Sequence, residues 1–131
     1  MPLRSLTLVG RLRSVACAVR GIGEMVRSQP NARIHAGATV SAVLLGLTLR
    51  ISIAEWCWIV LAIVGVWTAE ALNTALESLT DIASPGVHPV AGKAKDIAAG
   101  AVLIAAVGSA VIGLLVFGPH IWQWWQRLGT A

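Results

Sequence analysis

The sequence predicts an all-α membrane protein, an amphipathic surface helix followed by three transmembrane helices. Three observations lead there. Hydrophobic residues make up 56% of the 131-residue chain and charged residues only 12%, against about 25% charged in an ordinary soluble domain. So few charges could hardly cover a solvated surface, and the mean hydropathy is +0.77. Three long apolar stretches stand apart from one another. The basic residues fall almost entirely to one side of them. The chain reads as a single domain, 1–131.

The first element, about 3–28, mixes arginines with Leu, Val, Ile and Met. Arg13, Arg20 and Arg27 repeat at seven-residue intervals and would lie along one stripe of a helix. A basic amphipathic helix on the inner leaflet fits this pattern, although Gly21 and Gly23 weaken helix propensity. The bland alternative is a basic arm that only sets topology. No cleavable signal peptide is visible, because no apolar core with a small-residue cleavage site follows the first charges.

The second element, about 32–50, contains "IHAGATVSAVLLGLTL". It is short for a span, which needs ~20 mainly apolar residues. "RISIAE" then suffices for a tight turn. The third, about 53–82, opens on the uncharged "WCWIVLAIVGVWTA" and runs into "EALNTALESLTD". A helix of this length measures ~45 Å and exceeds a ~30 Å hydrocarbon core, so its acidic end must emerge. "SPGVHP" breaks the chain, with Pro85, Gly86 and Pro89 as breakers. The fourth, about 90–118, holds the wholly uncharged run from Ile97 to Gly118.

Charge sets the orientation. Arg4, Arg11, Arg13, Arg20, Arg27, Arg33, Lys93 and Lys95 fall on one side of a three-span arrangement, and Arg50 and Arg127 on the other. The positive-inside rule places the N-terminus and the loop between the second and third spans in the cytoplasm. Trp56, Trp58, Trp122, Trp124 and Trp125 then collect at the outer interface as an aromatic belt, while Trp67 lies deeper. The net charge of +4 follows from this topology, and no nucleic-acid partner is expected. Cys17 and Cys57 are isolated in apolar surroundings, which suits packing rather than a zinc or redox motif.

The polar residues gather at the cytoplasmic boundary. On a helix, Glu70, Asn73, Thr74, Glu77 and Asp81 share one face. Carboxylates at such a depth are costly and mark function more often than not, although a helix end emerging into water would carry ordinary solvated acids. Oxygen-rich clusters suit magnesium held partly by substrate phosphates, or a carboxylate acting as general base toward a hydroxyl. "HPVAGKAKD" offers a helix N-terminus and two lysines, a plausible phosphate site; the lysines would otherwise merely anchor the last span. "GVHPVAGKA" is not a P-loop: the glycine spacing is one too long and Ala94 stands where Ser or Thr is needed. With Ser109 the only polar side chain in the last apolar run, a transporter pathway is not supported.

"EALNTALESLTD" followed by "SPGVHPVAGKAKDIAAGAVLIAA", with "NARIHAG" before the first span, resembles the prokaryotic diacylglycerol kinase and undecaprenol kinase family. The resemblance covers about Arg11 to Gly118, and the ordered ExxNxxxE and HPxxxxAKD patterns carry it. It implies a homotrimer in the bacterial cytoplasmic membrane, with active sites between protomers on the cytoplasmic side. There the γ-phosphate of MgATP would pass to a membrane lipid alcohol, diacylglycerol or undecaprenol. The alternative is a catalytically weak relative acting as a membrane scaffold or lipid-binding protein.

The resemblance also implies residue roles. Glu70 matches the general base toward the lipid hydroxyl and Asn73 a residue orienting that site. Glu77 matches the acid binding the Mg2+ that bridges the ATP phosphates. Gly86, Val87 and His88 match a loop against ATP, and Lys95, Asp96 and Asp81 match nucleotide-contacting positions. Arg33 and Ala99, with Glu70, match lipid-substrate positions. One departure concerns the metal and nucleotide site: where the family carries a second metal-binding glutamate, this chain has Gln29. An amide oxygen can still ligate magnesium, but it brings no charge. Either Glu77 suffices, or metal binds more weakly, or Glu24 or Asp81 compensates. "RIH" and "SPxxHP" look more like the undecaprenol-type branch.

Overall fold

The computed structural model describes residues 8–129. The part of the expected first helix before Leu8, with Arg4, lies outside them. Four helices follow in order: α1 (Leu8–Ser28), α2 (Pro30–Leu49), α3 (Ile53–Ala83) and α4 (Pro89–Gly129). Among the described residues there is no strand, and α2, α3 and α4 are each long and apolar enough to cross a membrane.

α1 continues through Gly21 and Gly23 without a break, although two glycines cost it about 1 kcal/mol each relative to alanine. Packing at its end compensates, since Met25 is buried. Leu8, Leu12, Val15, Val19 and Ile22 repeat at alternating spacings of four and three, so they form one apolar stripe. All five are exposed. Arg13, Arg20 and Arg27 lie roughly a third of a turn away from that stripe.

A single residue, Gln29, joins α1 to α2. Its backbone is extended (φ −101°, ψ 118°) and Pro30 opens α2, where a missing N–H is harmless. The Gln29 N–H donates to Met25 O at 2.8 Å. Arg33, one turn into α2, donates from Nε to Val26 O at 3.2 Å and from its terminal nitrogen to Arg27 O. A guanidinium thus caps the carbonyl end of α1, where positive charge is favoured. This fixes the corner.

At the opposite end, α2 stops at Arg50, which takes the left-handed conformation (φ 52°, ψ 49°) and returns its N–H to Gly46 O. Ser52 starts α3 with a reciprocal capping box. Its hydroxyl accepts from the Glu55 N–H at 3.3 Å, and Glu55 Oε2 accepts from the Ser52 N–H at 2.7 Å. Such a box satisfies two of a helix's orphan donors. Beside this turn lies the apolar core of Ile51, Ile59, Val116 and Phe117, with Trp56 packed against it.

α3 packs most extensively on α4. At 31 and 41 residues they are ~46 and ~62 Å long, longer than the ~30 Å apolar core of a bilayer. α4 runs on to Gly129, past the sequence-predicted end near 118, with Pro119 inside it. Proline removes one backbone bond and clashes with the preceding turn. The turn is nevertheless held from outside: His120 Nε2 lies 2.8 Å from Glu55 Oε1 at the start of α3. Between the helices, Trp67 Nε1 donates to Thr39 Oγ1 at 3.0 Å and Ser109 donates to Ala62 O at 3.0 Å. The deeper tryptophan and the lone serine of the last span are therefore interhelical ties.

Candidate functional site

The site is built on α3. Glu70, Asn73 and Glu77 stand at i, i+3 and i+7, hence on one face. That face meets α2 and α4, and the burial is severe: Glu70 is 1% exposed and Asn73 5%. Burying a carboxylate costs several kcal/mol unless partners compensate. Yet neither Glu70 oxygen has a hydrogen-bond partner among the described residues. His35 Nε2 lies 4.0 Å away and is itself buried without a partner.

Glu77, two turns along, is held differently. Asn73 Nδ2 donates to Glu77 Oε1 at 3.1 Å, and Gln29 Nε2 donates to Glu77 Oε2 at 3.2 Å. The α1–α2 corner thus delivers Gln29 to a carboxylate 48 positions away in sequence. Asn73 Oδ1 remains a buried acceptor without a partner among the described residues. Asn31, His35, Asn73, Glu77 and Ala99 line a cavity of about 250 Å³ between α2, α3 and α4.

A second polar pair lies one turn beyond. Lys95 Nζ donates to Asp81 Oδ1 at 2.7 Å, linking the ends of α3 and α4 across their loop. The loop itself is exposed, with Val87 fully so. His88 turns inward on its own backbone: its Nδ1 accepts from the Val90 N–H at 3.3 Å and its carbonyl from the Gly92 N–H at 3.0 Å. It serves as a cap for α4.

The structure therefore brings Gln29, Asn73 and Glu77 into one hydrogen-bonded set, with Glu70 at its buried end and Ala99 on the cavity wall. Asp81 pairs with Lys95 rather than with Glu77. Asp96, Gly86 and Val87 are exposed, and Glu24 lies on an exposed face of α1. Arg33 points to the end of α1 rather than into the cavity. Sequence reasoning passed over Asn31 and His35, which lie four apart on α2 and so share its face. That spacing of polar residues at the start of an apolar run was the signal that could have found them.

Among the described residues no three His, Cys, Asp or Glu side chains converge as a metal cage. Magnesium rarely uses such a cage; it keeps waters and takes one or two carboxylates plus substrate phosphates. The Glu77 carboxylate beside the unpartnered Asn73 Oδ1 fits that demand. The set holds Glu77 in place through two amide N–H donors.

Comparison with known proteins identifies the family. The sequence model of the prokaryotic diacylglycerol kinase family matches residues 16–117. The chain belongs to the prokaryotic diacylglycerol kinase family. It is similar to the undecaprenol kinase of Bacillus subtilis (strain 168), with 43% identity over 109 residues, 83% of this chain and 89% of the relative. It is also similar to the diacylglycerol kinase of a Synechocystis species, with 35% identity over 111 residues, 84% of this chain and 63% of the relative. The family match begins within α1 and ends at Phe117, so it takes in every site residue named above. It stops just before Pro119 and the extension of α4.

Proposed function

We propose that the protein is an integral-membrane lipid kinase that transfers the γ-phosphate of ATP to the hydroxyl of a membrane lipid alcohol. Undecaprenol is the first candidate and diacylglycerol the second, in line with the two relatives. The observation that carries this reading is the buried, unpartnered Glu70 at the inner edge of a set whose outer member, Glu77, is held by two amides. One helix face thereby reaches from an apolar environment toward an aqueous one over ~10 Å.

In this reading the lipid hydroxyl gives its proton to Glu70 as its oxygen attacks the γ-phosphorus. The new O–P bond forms, the bond to the β,γ-bridging oxygen breaks, and ADP leaves. There is little covalent chemistry for the protein to do, because such transfers rest on positioning and charge neutralisation. Asn73 holds Glu77, and Glu77 with Gln29 would hold Mg2+, which would neutralise phosphate charge when bound. Lys95 exchanges Asp81 for a phosphate oxygen. The exposed loop Gly86–Val87–His88 and Asp96 lie where the nucleotide would rest, and Ala99 borders the lipid headgroup. Arg33 acts at one remove, by fixing the corner that presents Gln29.

The test is direct. Purified protein in detergent or bilayer, given MgATP and either lipid alcohol side by side, should yield the phosphorylated lipid. Glu70→Gln should abolish turnover and leave the oligomer intact. If wild type and Glu70→Gln behave alike, the assignment fails.

A further inference from the structure

Beyond this reading, and resting on it, we propose that His35 is a second contact for the acceptor hydroxyl, paired with Glu70. Three observations converge on it. His35 Nε2 and both Glu70 oxygens are buried without hydrogen-bond partners among the described residues, a state that folded proteins seldom tolerate without a use. His35 Nε2 and Glu70 Oε2 are 4.0 Å apart, too far for a direct bond. A single oxygen placed about 2.8 Å from each fits between them, with an angle near 90° at that oxygen. A hydroxyl both donates and accepts, so it can serve both groups at once.

The third observation is position. His35 lines the polar cavity with Asn73 and Glu77. It also lines an apolar groove of about 330 Å³ that runs past Thr39, Ala62 and Gly113 to Phe117. A lipid alcohol has the same two halves. Its hydroxyl lies at the junction, between His35 and Glu70, while the first part of its tail enters the groove. His35 in its Nε2–H form donates to the hydroxyl oxygen and so orients that oxygen's other lone pair toward the γ-phosphorus. The hydroxyl proton goes to Glu70, and His35 keeps its own.

Two substitutions separate chemistry from packing. His35→Leu removes the nitrogen, whereas His35→Gln keeps an N–H donor near the same place. In mixed micelles with MgATP, His35→Leu should lower kcat/KM for the lipid alcohol about 10- to 100-fold, the cost of leaving a buried polar group unpaired. Its KM for ATP should be unchanged, and His35→Gln should recover most of the loss. The second measurement needs no variant of His35. The chain has three histidines, so 15N-histidine labelling gives three imidazoles, separable by substituting His88 and His120. The His35 Nε2 resonance should shift when the lipid alcohol is added and stay put with its acetate ester, which lacks the hydroxyl.

The outcomes are distinct. If wild type phosphorylates neither lipid, the kinase reading itself fails. If wild type is active and Glu70→Gln is not, but His35→Leu keeps full kcat/KM, the His35 contact is overturned and the kinase stands. The contact is overturned equally if both His35 variants are impaired to the same degree while the resonance does not move.

Discussion

At the scale of single residues, Gln29 is where this chain differs most from its family's expected metal site. The amide does more than substitute for a missing acid, because it donates to Glu77 at 3.2 Å. A carboxylate in its place would face Glu77 with like charge, which is unfavourable without a cation between them. Gln29→Glu should therefore lower the thermal midpoint in chelator and lower the Mg2+ concentration giving half-maximal activity. An unchanged magnesium titration would count against the metal role of this position. Glu70 poses the opposite case. Its carboxylate is buried without a donor among the described residues, so it is kept against stability. Glu70→Leu, similar in volume, should raise unfolding free energy by about 1 kcal/mol or more while eliminating turnover; calorimetry in detergent and a lipid phosphorylation assay read the two effects separately. Lys95 is partly exposed and paired with an exposed Asp81, and such surface pairs contribute little to stability. Lys95→Met should leave the thermal midpoint where it is and raise KM for ATP.

At the scale of elements, the turn between α2 and α3 sets how closely those two helices approach at that end. Gly46 is needed there: a Cβ on it would lie 2.7 Å from Trp56 Cη2 and Cζ2, closer than atoms can pack. Gly46→Ala should push the indole or the helices apart and cost about 1–3 kcal/mol, visible as a lower thermal midpoint in detergent. The α1–α2 corner is the other controlling element. Arg33 ties α2 to the last carbonyls of α1, and the same corner carries Gln29 to Glu77. The fold thus couples α1 to Glu77 on α3 through one junction residue.

At the scale of the whole molecule, α2, α3 and α4 cross the bilayer, and the charge distribution argues for which end faces which side. In a cysteine-free background, Val87→Cys should react with a membrane-impermeant maleimide only after cells are permeabilised, and Arg127→Cys should react in intact cells. Reversed labelling would invert the topology and move the site away from cytoplasmic ATP. The exposed apolar residues along α2, α3 and α4 suit lipid or neighbouring protomers, and we expect chemical cross-linking in bilayers to stop at a trimer.

The sequence by itself determined the class of fold and which polar residues share one face of α3. Lengths of apolar runs measured against bilayer thickness, and the one-sided distribution of basic residues, are local or additive properties that need no packing information. The helical phase of Glu70, Asn73 and Glu77 was legible for the same reason, since 3.6 residues per turn is fixed by the backbone. The end of α4 was not legible, because Gly118–Pro119 reads as a stop and only the contact of His120 with Glu55 shows why the helix continues. Partners across helices were equally hidden. That Gln29 donates to Glu77, that Arg33 caps α1 instead of lining the cavity, and that His35 faces Glu70 all depend on how three helices are rotated against one another. Rotation is set by many small contacts summed over distant segments, such as the fit of Trp56 over Gly46. Periodicity shows which residues share a face, and only tertiary packing decides what that face meets.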